Sequence, residues 1–235
     1  MLKTAGSPKR YKNLFGITLG TGFGAGIVIN GELFIGDNSN GAEIWITRNK
    51  IINRCFAEEG VSIRAIQRVY NDHAKDKINQ FLSPKDIFEI ATGKQKGVKD
   101  AGLKAFYAMA EVAGDALANA ITLLDGLIVI GGGLSGAAPV FLPMIVAEMN
   151  STIEFYDGRP IPRLVQKVFN LEDHDEMKGF LSGNKTEIMV PGSQLSITYS
   201  PMKRTGLGIS KLGTSKAISI GAYAFALNMI DKLNK

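Results

Sequence analysis

The sequence predicts an α/β fold in which a three-stranded antiparallel meander is continued by parallel strands, with helices on both faces. Three observations predict it. Near the start, apolar residues alternate with period two in short runs separated by a glycine-rich turn. Further on, a short and wholly apolar run, Leu127–Ile130, ends in three glycines. Between and after these lie stretches whose apolar residues recur every three or four positions.

The first strand is Leu14–Leu19, with Phe15, Ile17 and Leu19 on one face. Gly20–Gly24 is turn chemistry, and Ala25–Ile29 alternates again. Asn30-Gly31 is a type I′ hairpin signal, after which Leu33–Ile35 returns as a third strand. Gly36–Ala42 reads as a loop and Thr47–Tyr70 as mostly helical, with a break near Gly60. Ser83-Pro84-Lys85-Asp86 has the form of a helix start: a serine cap, proline in the first turn, and an acid placed to close a capping box. Gly93 ends that helix. The next carries one apolar stripe, Leu103, Phe106, Ala110, Ala113, Leu117, Ala120 and Leu124. Gly102 and Gly114 within it are expected to allow close packing on the sheet. Leu127–Ile130 reads as a buried strand, Ala137–Asn150 as a helix, and Thr152–Gln194 as an insertion of short strands. Leu195–Tyr199 reads as another strand. A final helix, capped by Thr214 or Ser215, has the stripe Ala217, Ile220, Ala224, Leu227 and Ile230. This order matches one lobe of the ribonuclease-H-like fold of the actin/hexokinase superfamily.

Composition narrows the function classes. Hydrophobic residues make up 45% of the chain and charged residues 21%, an ordinary globular balance with no apolar run long enough to span a membrane. The start has no apolar signal segment, and the single Cys55 excludes a disulfide framework, so a cytoplasmic setting is expected. The net charge of +5 comes from scattered lysines and arginines with no DNA-reading motif, which favours an anionic ligand over nucleic acid.

Two glycine loops carry the candidate chemistry. Gly131-Gly132-Gly133-Leu134-Ser135-Gly136 fits G-x-G-x-x-G between a strand and a helix. An adenine nucleotide against the loop, a dinucleotide, and a bare tight turn all remain open, although Glu154 is a poor match for the acid that a dinucleotide site places about 20 residues on. Gly20-Thr21-Gly22-Phe23-Gly24 lies between two strands. Its backbone can approach an anion closely and Thr21 adds a hydroxyl; a strained hairpin turn is the plainer alternative.

Leu19–Gly26 with Ile27–Leu33 behind it resembles the second phosphate motif of the ROK sugar kinases. Leu117–Asp125 followed by Ile128–Ser135 is similar to that family's adenosine motif and the helix before it. The resemblance covers most of Asn13–Ser135, and the last helix fits too. Ser39–Arg48 and the extended tail look closest to a glucokinase-like branch from Bacteroides-type bacteria. It implies γ-phosphoryl transfer from ATP, with Mg2+ carried on the nucleotide, to a hexose held between two closing lobes. The implied nucleotide contacts are Gly20, Thr21 and Gly22 with Gly131, Gly132 and Gly133. The family's Glu-x-Gly-His, which binds the sugar, here reads Glu43-Ile44-Trp45-Ile46. Glu43 is kept as a sugar ligand, and Trp45 could stack on a sugar face.

Other departures shape the expectation. The family's cysteine-rich zinc cluster is missing, and Cys55, His73 and His174 do not replace it, so no zinc is expected. The acidic run Glu172–Glu176 reads as a solvated helix face. The family's first lobe, with its catalytic Asp, should precede Asn13, where only residues 1–12 stand. The chain thus reads as residues 1–12, a remnant of that lobe, and residues 13–235, a nucleotide-binding lobe with an insertion at about 152–194. As an enzyme it would be inactive alone, with Asp37, Asp125 and Asp157 the only substitute carboxylates to consider. A non-catalytic nucleotide- or sugar-binding regulatory module of the same superfamily is the alternative. Dimers are frequent in the family, so a homodimer is a candidate state; nucleic acid and membrane are not expected partners.

Overall fold

The computed structural model describes residues 10–74 and 82–233; residues 1–9 of the N-terminal segment lie outside them. The strands are β1 (Leu14–Leu19), β2 (Phe23–Ile29), β3 (Glu32–Phe34), β4 (Leu127–Gly131), β5 (Thr152–Glu154), β6 (Pro160–Pro162), β7 (Lys167–Asn170), β8 (Thr186–Met189), β9 (Ser196–Tyr199) and β10 (Arg204–Ile209). The helices are α1 (Ile63–Ala74), α2 (Pro84–Ala91), α3 (Lys99–Leu124), α4 (Ala138–Met149), α5 (His174–Ser182) and α6 (Thr214–Leu233).

The central sheet has the order β3-β2-β1-β4-β10-β7. The meander β1–β2–β3 is antiparallel, and β4, β10 and β7 continue it in parallel. Asn30 and Gly31 both adopt positive φ (54° and 86°), as a type I′ turn demands. Alternation divides the sheet's faces. Phe15, Ile17, Ile128, Ile130 and Val168 enter the main core under α1–α4. Leu127 and Phe169 point the other way, into a smaller core with Tyr11 and Phe180 of α5. Burial pushes the Tyr11 hydroxyl up to about 12, and that hydroxyl donates to the Arg204 carbonyl at 2.8 Å.

The capping box at α2 forms as the sequence implies: the Ser83 hydroxyl accepts from the Asp86 amide, and the Asp86 carboxylate accepts from the Ser83 amide. Other elements differ from expectation. Thr47–Ser62 is not helical beyond one turn at Ala57–Glu59. Asn49 turns the chain there by accepting from the amides of Ile51 and Ile52, and a bridge joins Arg48 to Phe56. Gly102 and Gly114 serve helix packing rather than the sheet: a Cβ at Gly102 would press on Ala91 and Ile87 of α2, and one at Gly114 on Glu148 of α4. Part of Thr152–Gln194 belongs to the main sheet, because β7 pairs with β10 there, while β5–β6 and β8–β9 form separate hairpins. The acidic run caps α5: Asp173 accepts from the amides of Asp175 and Glu176, and Glu172 accepts from the Ile209 amide and pairs with Lys211. The stripe on α6 buries nothing; no described side chain of that helix is buried.

Candidate functional site

β1 and β4 are parallel neighbours, with Thr18 level with Gly131. Their carboxyl ends therefore bring the two glycine loops together, at the edge where open α/β sheets bind ligands. The loops are locked to each other. The Leu134 amide donates to the Leu19 carbonyl at 3.0 Å. Gly132 sits at φ 95°, where a Cβ would collide with the Leu19 backbone. On the other side, the Ile63 amide at the start of α1 donates to the Gly20 carbonyl at 2.9 Å.

A cleft of about 580 Å³ opens between them, lined by Thr18–Gly24, Trp45, Glu58, Gly132 and Gly133. Of the hairpin's amides, Gly20 donates to the Gly22 carbonyl and Phe23 to a Glu58 carboxylate oxygen at 2.9 Å. Among the described residues, the amides of Thr21, Gly22 and Gly133 have no protein acceptor. Three unengaged N–H groups around one cleft suit an anion such as a phosphate. A second hollow, of about 320 Å³, lies between α2 and the loop after β4. Pro84, Lys85, Phe88 and Glu89 form one wall and Gly133, Leu134, Gly136 and Ala137 the other. Gly133 lines both, and a Cβ there would meet nothing within 4 Å.

Of the residues singled out in the sequence, Gly20, Thr21, Gly22, Gly132, Gly133 and Trp45 come together in the first cleft. Gly131 does not line it; it is the last residue of β4. Glu43 does not line it either. Its carboxylate accepts from the Trp45 indole N–H, and Trp45 packs edge-on against Phe56, 5.7 Å between centroids. Among the described residues no three of His, Cys, Asp and Glu gather as a metal group. The three aspartates considered as substitutes lie outside the cleft: Asp37 is exposed, Asp125 is the left-handed C-cap of α3, and Asp157 pairs with Arg159.

Sequence reasoning missed Glu58, among the described residues the one acidic side chain that lines the cleft. A Cβ at Gly22 would overlap its carboxylate, so glycine at 22 lets Glu58 reach the hairpin. Arg64 holds it from behind at 3.1 Å and also binds Glu59 at 2.7 Å; the Arg64 hydrogen bond keeps the Glu59 carboxyl below its usual range. No spacing signal marks Glu58, which falls in the segment read as helix.

An antiparallel meander continued by parallel strands, with a glycine loop at the end of β1 and another at the end of β4, defines the actin/hexokinase-like fold class. Solved structures agree: the glucokinase of Parabacteroides distasonis superposes with a TM-score of 0.84 and 49% identity, over 95% of this chain and 60% of that one. The ROK family model matches residues 3–181, and the chain belongs to the ROK family. The N-acetyl-D-glucosamine kinase of Pasteurella multocida is 30% identical over 146 residues, 54% of this chain and 45% of that protein. The enzyme of the same name from Photobacterium profundum is 29% identical over 158 residues, 58% of this chain and 49% of that protein. The chain spans about half the length of these curated relatives.

Proposed function

We propose that this chain is the nucleotide-binding lobe of an ATP-dependent hexose kinase, glucokinase-like in kind, and that it does not turn over alone. The observation that carries the reading is the pair of clefts sharing Gly133. The more enclosed one, between Phe88 and Leu134, suits an adenine ring, and the one ringed by unengaged amides suits its phosphates. The phosphates would bring Mg2+ with them, since such ions usually keep water and phosphate oxygens as ligands. Transfer moves the γ-phosphoryl group to a sugar hydroxyl as the bond to the β-phosphate oxygen breaks. In this chain the amides of Thr21, Gly22 and Gly133 and the Thr21 hydroxyl would hold and orient the phosphates. Glu58 faces the same cleft and is suited to accept from sugar hydroxyls, with the Trp45 ring as an apolar wall. Glu43 would act through Trp45, whose indole it holds.

The acceptor hydroxyl needs a base or an orienting carboxylate. Glu58 is engaged by the Phe23 amide and Arg64, and no other described carboxylate lines the cleft. The group would come from another lobe, and its absence typically costs about 10²–10⁴ in rate.

Titration calorimetry with ADP tests the nucleotide reading. Gly133→Val should abolish heat release without unfolding the chain, because its Cβ enters open space in both clefts. Gly132→Val is the wrong probe, since its side chain would drive into Leu19. ADP binding that survives Gly133→Val, or equal binding of NAD, would overturn the reading. A coupled assay with ATP and a panel of hexoses should show no appreciable turnover by the chain alone. ADP binding with no turnover in any two-lobe form would favour the non-catalytic regulatory module.

A further inference from the structure

We infer that a third hollow, at the carboxyl ends of β10 and β7, is a binding site for a small uncharged polyhydroxylated ring. It shares no lining residue with the two clefts described above, and the inference goes beyond the nucleotide reading.

The topology opens this hollow. From β4 the chain leaves through α4, over the main core; from β7 it leaves through α5, over the smaller core on the opposite face. β10 lies between those two strands. Where the loops on either side depart to opposite faces, a crevice forms beyond the carboxyl ends of the strands, and open α/β sheets bind ligands there. Its volume is about 430 Å³, within the ~300–1,000 Å³ common for small-molecule sites.

The two sides of the hollow differ in chemistry. Pro139 and Pro143, one turn apart on α4, form an apolar side with Leu142 and Ile209. Asn170, Glu172 and Asp173 form the polar side. Asn170, the last residue of β7, is 7% exposed and firmly held. Its backbone amide donates to Glu176 at 2.7 Å, and its Oδ1 accepts from the Glu172 amide at 3.0 Å. Its Nδ2 has no acceptor among the described residues, and a buried donor left so calls for a partner. The other polar groups accept. Burial acts to raise the Glu172 carboxyl, but hydrogen bonds from Lys211 and the Ile209 amide hold it below its usual range. Asp173 spends Oδ1 on the amides of Asp175 and Glu176, which leaves Oδ2 without a protein donor among the described residues. The Ser135 hydroxyl donates to the Gly132 carbonyl and has only lone pairs left to offer.

This set of groups selects the ligand class. Two carboxylates against the one ammonium of Lys211 disfavour an anion. The amides at the start of α5, which would otherwise attract one, are taken by Asp173. A primary ammonium has donors only and would leave the Asn170 Nδ2 unanswered. A hydroxyl does both: it accepts from Asn170 and donates to Asp173 or Glu172. The carbon face of a hydroxylated ring can rest on the two prolines.

The test is an NMR titration of the isotope-labelled full chain. D-Glucose and myo-inositol are the separate probes, with inorganic phosphate and ethanolamine as charged comparators. Saturable shifts are expected at the Asn170 side-chain amide and at the backbone amides of Ser135 and Ile209 with at least one of the two rings. A response to glucose alone identifies the ring as a sugar, and one to inositol alone as a cyclitol. Asn170→Asp keeps the Oδ1 contact and removes the donor, so it should weaken binding about tenfold. Pro143→Arg puts a long side chain into the hollow and a good helix former into α4. It should abolish binding with the circular dichroism unchanged. No saturable shift from either ring, a stronger response to phosphate or ethanolamine, or shifts undiminished in both variants would overturn the inference. So would glucose shifts confined to the residues around Glu58, which would seat the sugar in the first cleft.

Discussion

α3 and α6 are both long, both rich in alanine with interior glycine, and both strongly apolar, yet they have opposite fates. α3 buries 13 of its 26 residues, sandwiched against α1, α2 and α4. α6 buries no described side chain. The difference teaches that apolar periodicity marks a helix for burial without naming its partner. In α3 the glycines identify the partners: Gly102 lets α2 approach and Gly114 lets α4 approach. In α6 a Cβ at Gly221 would meet nothing within 4 Å.

The comparison breaks most visibly at Phe106. It is fully buried in α3 and meets Phe88 of α2 edge to face, 6.3 Å between centroids. Phe106→Ala should cost about 3–5 kcal/mol, read from the shift of the urea unfolding midpoint. A loss under about 1 kcal/mol would mean that α3 is not the spine it looks to be.

A smaller effect is expected at the cap of α2, which packs on α3 and α1. Ser83→Ala should cost about 1 kcal/mol at neutral pH. Hydrogen bonds from the Ser83 hydroxyl and amide hold the Asp86 carboxyl below its usual range. A depressed carboxyl contributes stability above its unfolded pKa and loses it as pH falls through the folded value. The gap between wild type and variant should therefore narrow below the ordinary aspartate range, at about pH 4. Unfolding curves at pH 7 and pH 3 check this; an equal gap at both would contradict it.

The smallest effect is expected on α6. Leu227→Ala in the chain alone should change stability by no more than about 0.5 kcal/mol, because Leu227 is 62% exposed. A shift of melting temperature as large as that for Phe106→Ala would erase the contrast between the two helices.

What the sequence made legible was local. The alternation in β1, the Asn30-Gly31 turn, the Ser83 capping box and the α3 stripe are each specified within a few residues, and each forms. β10 was missed because it is buried on both faces and carries no alternation; its Gly206 and Gly208 make room for Leu171, which directly follows the neighbouring strand β7, and its Arg204 is buried. The Thr47–Ser62 loop was misread because its turns rest on Asn49 contacts that no periodicity reports. The glycines of the candidate site were visible as glycines, but their division of labour was not. Gly132 is required by a neighbour more than 100 positions away, and Gly133 faces open space. Glu58 was invisible because it reaches the cleft through a gap left by the missing side chain of Gly22.

The place of β10 in the sheet also sets a timetable. Among the described residues it is the last strand, yet it lies between β4 and β7, and β7 has no other strand neighbour there. On the ribosome, which adds roughly 5–20 residues per second, β1 to β4 can pair as soon as Gly131 has emerged. β7 must wait about 35 residues more for Arg204–Ile209 to arrive before its edge is satisfied. For that interval Val168 and Phe169 have no sheet to join, and a nascent chain stalled near residue 200 would offer a bare strand edge to whatever chaperone or neighbouring chain is nearby.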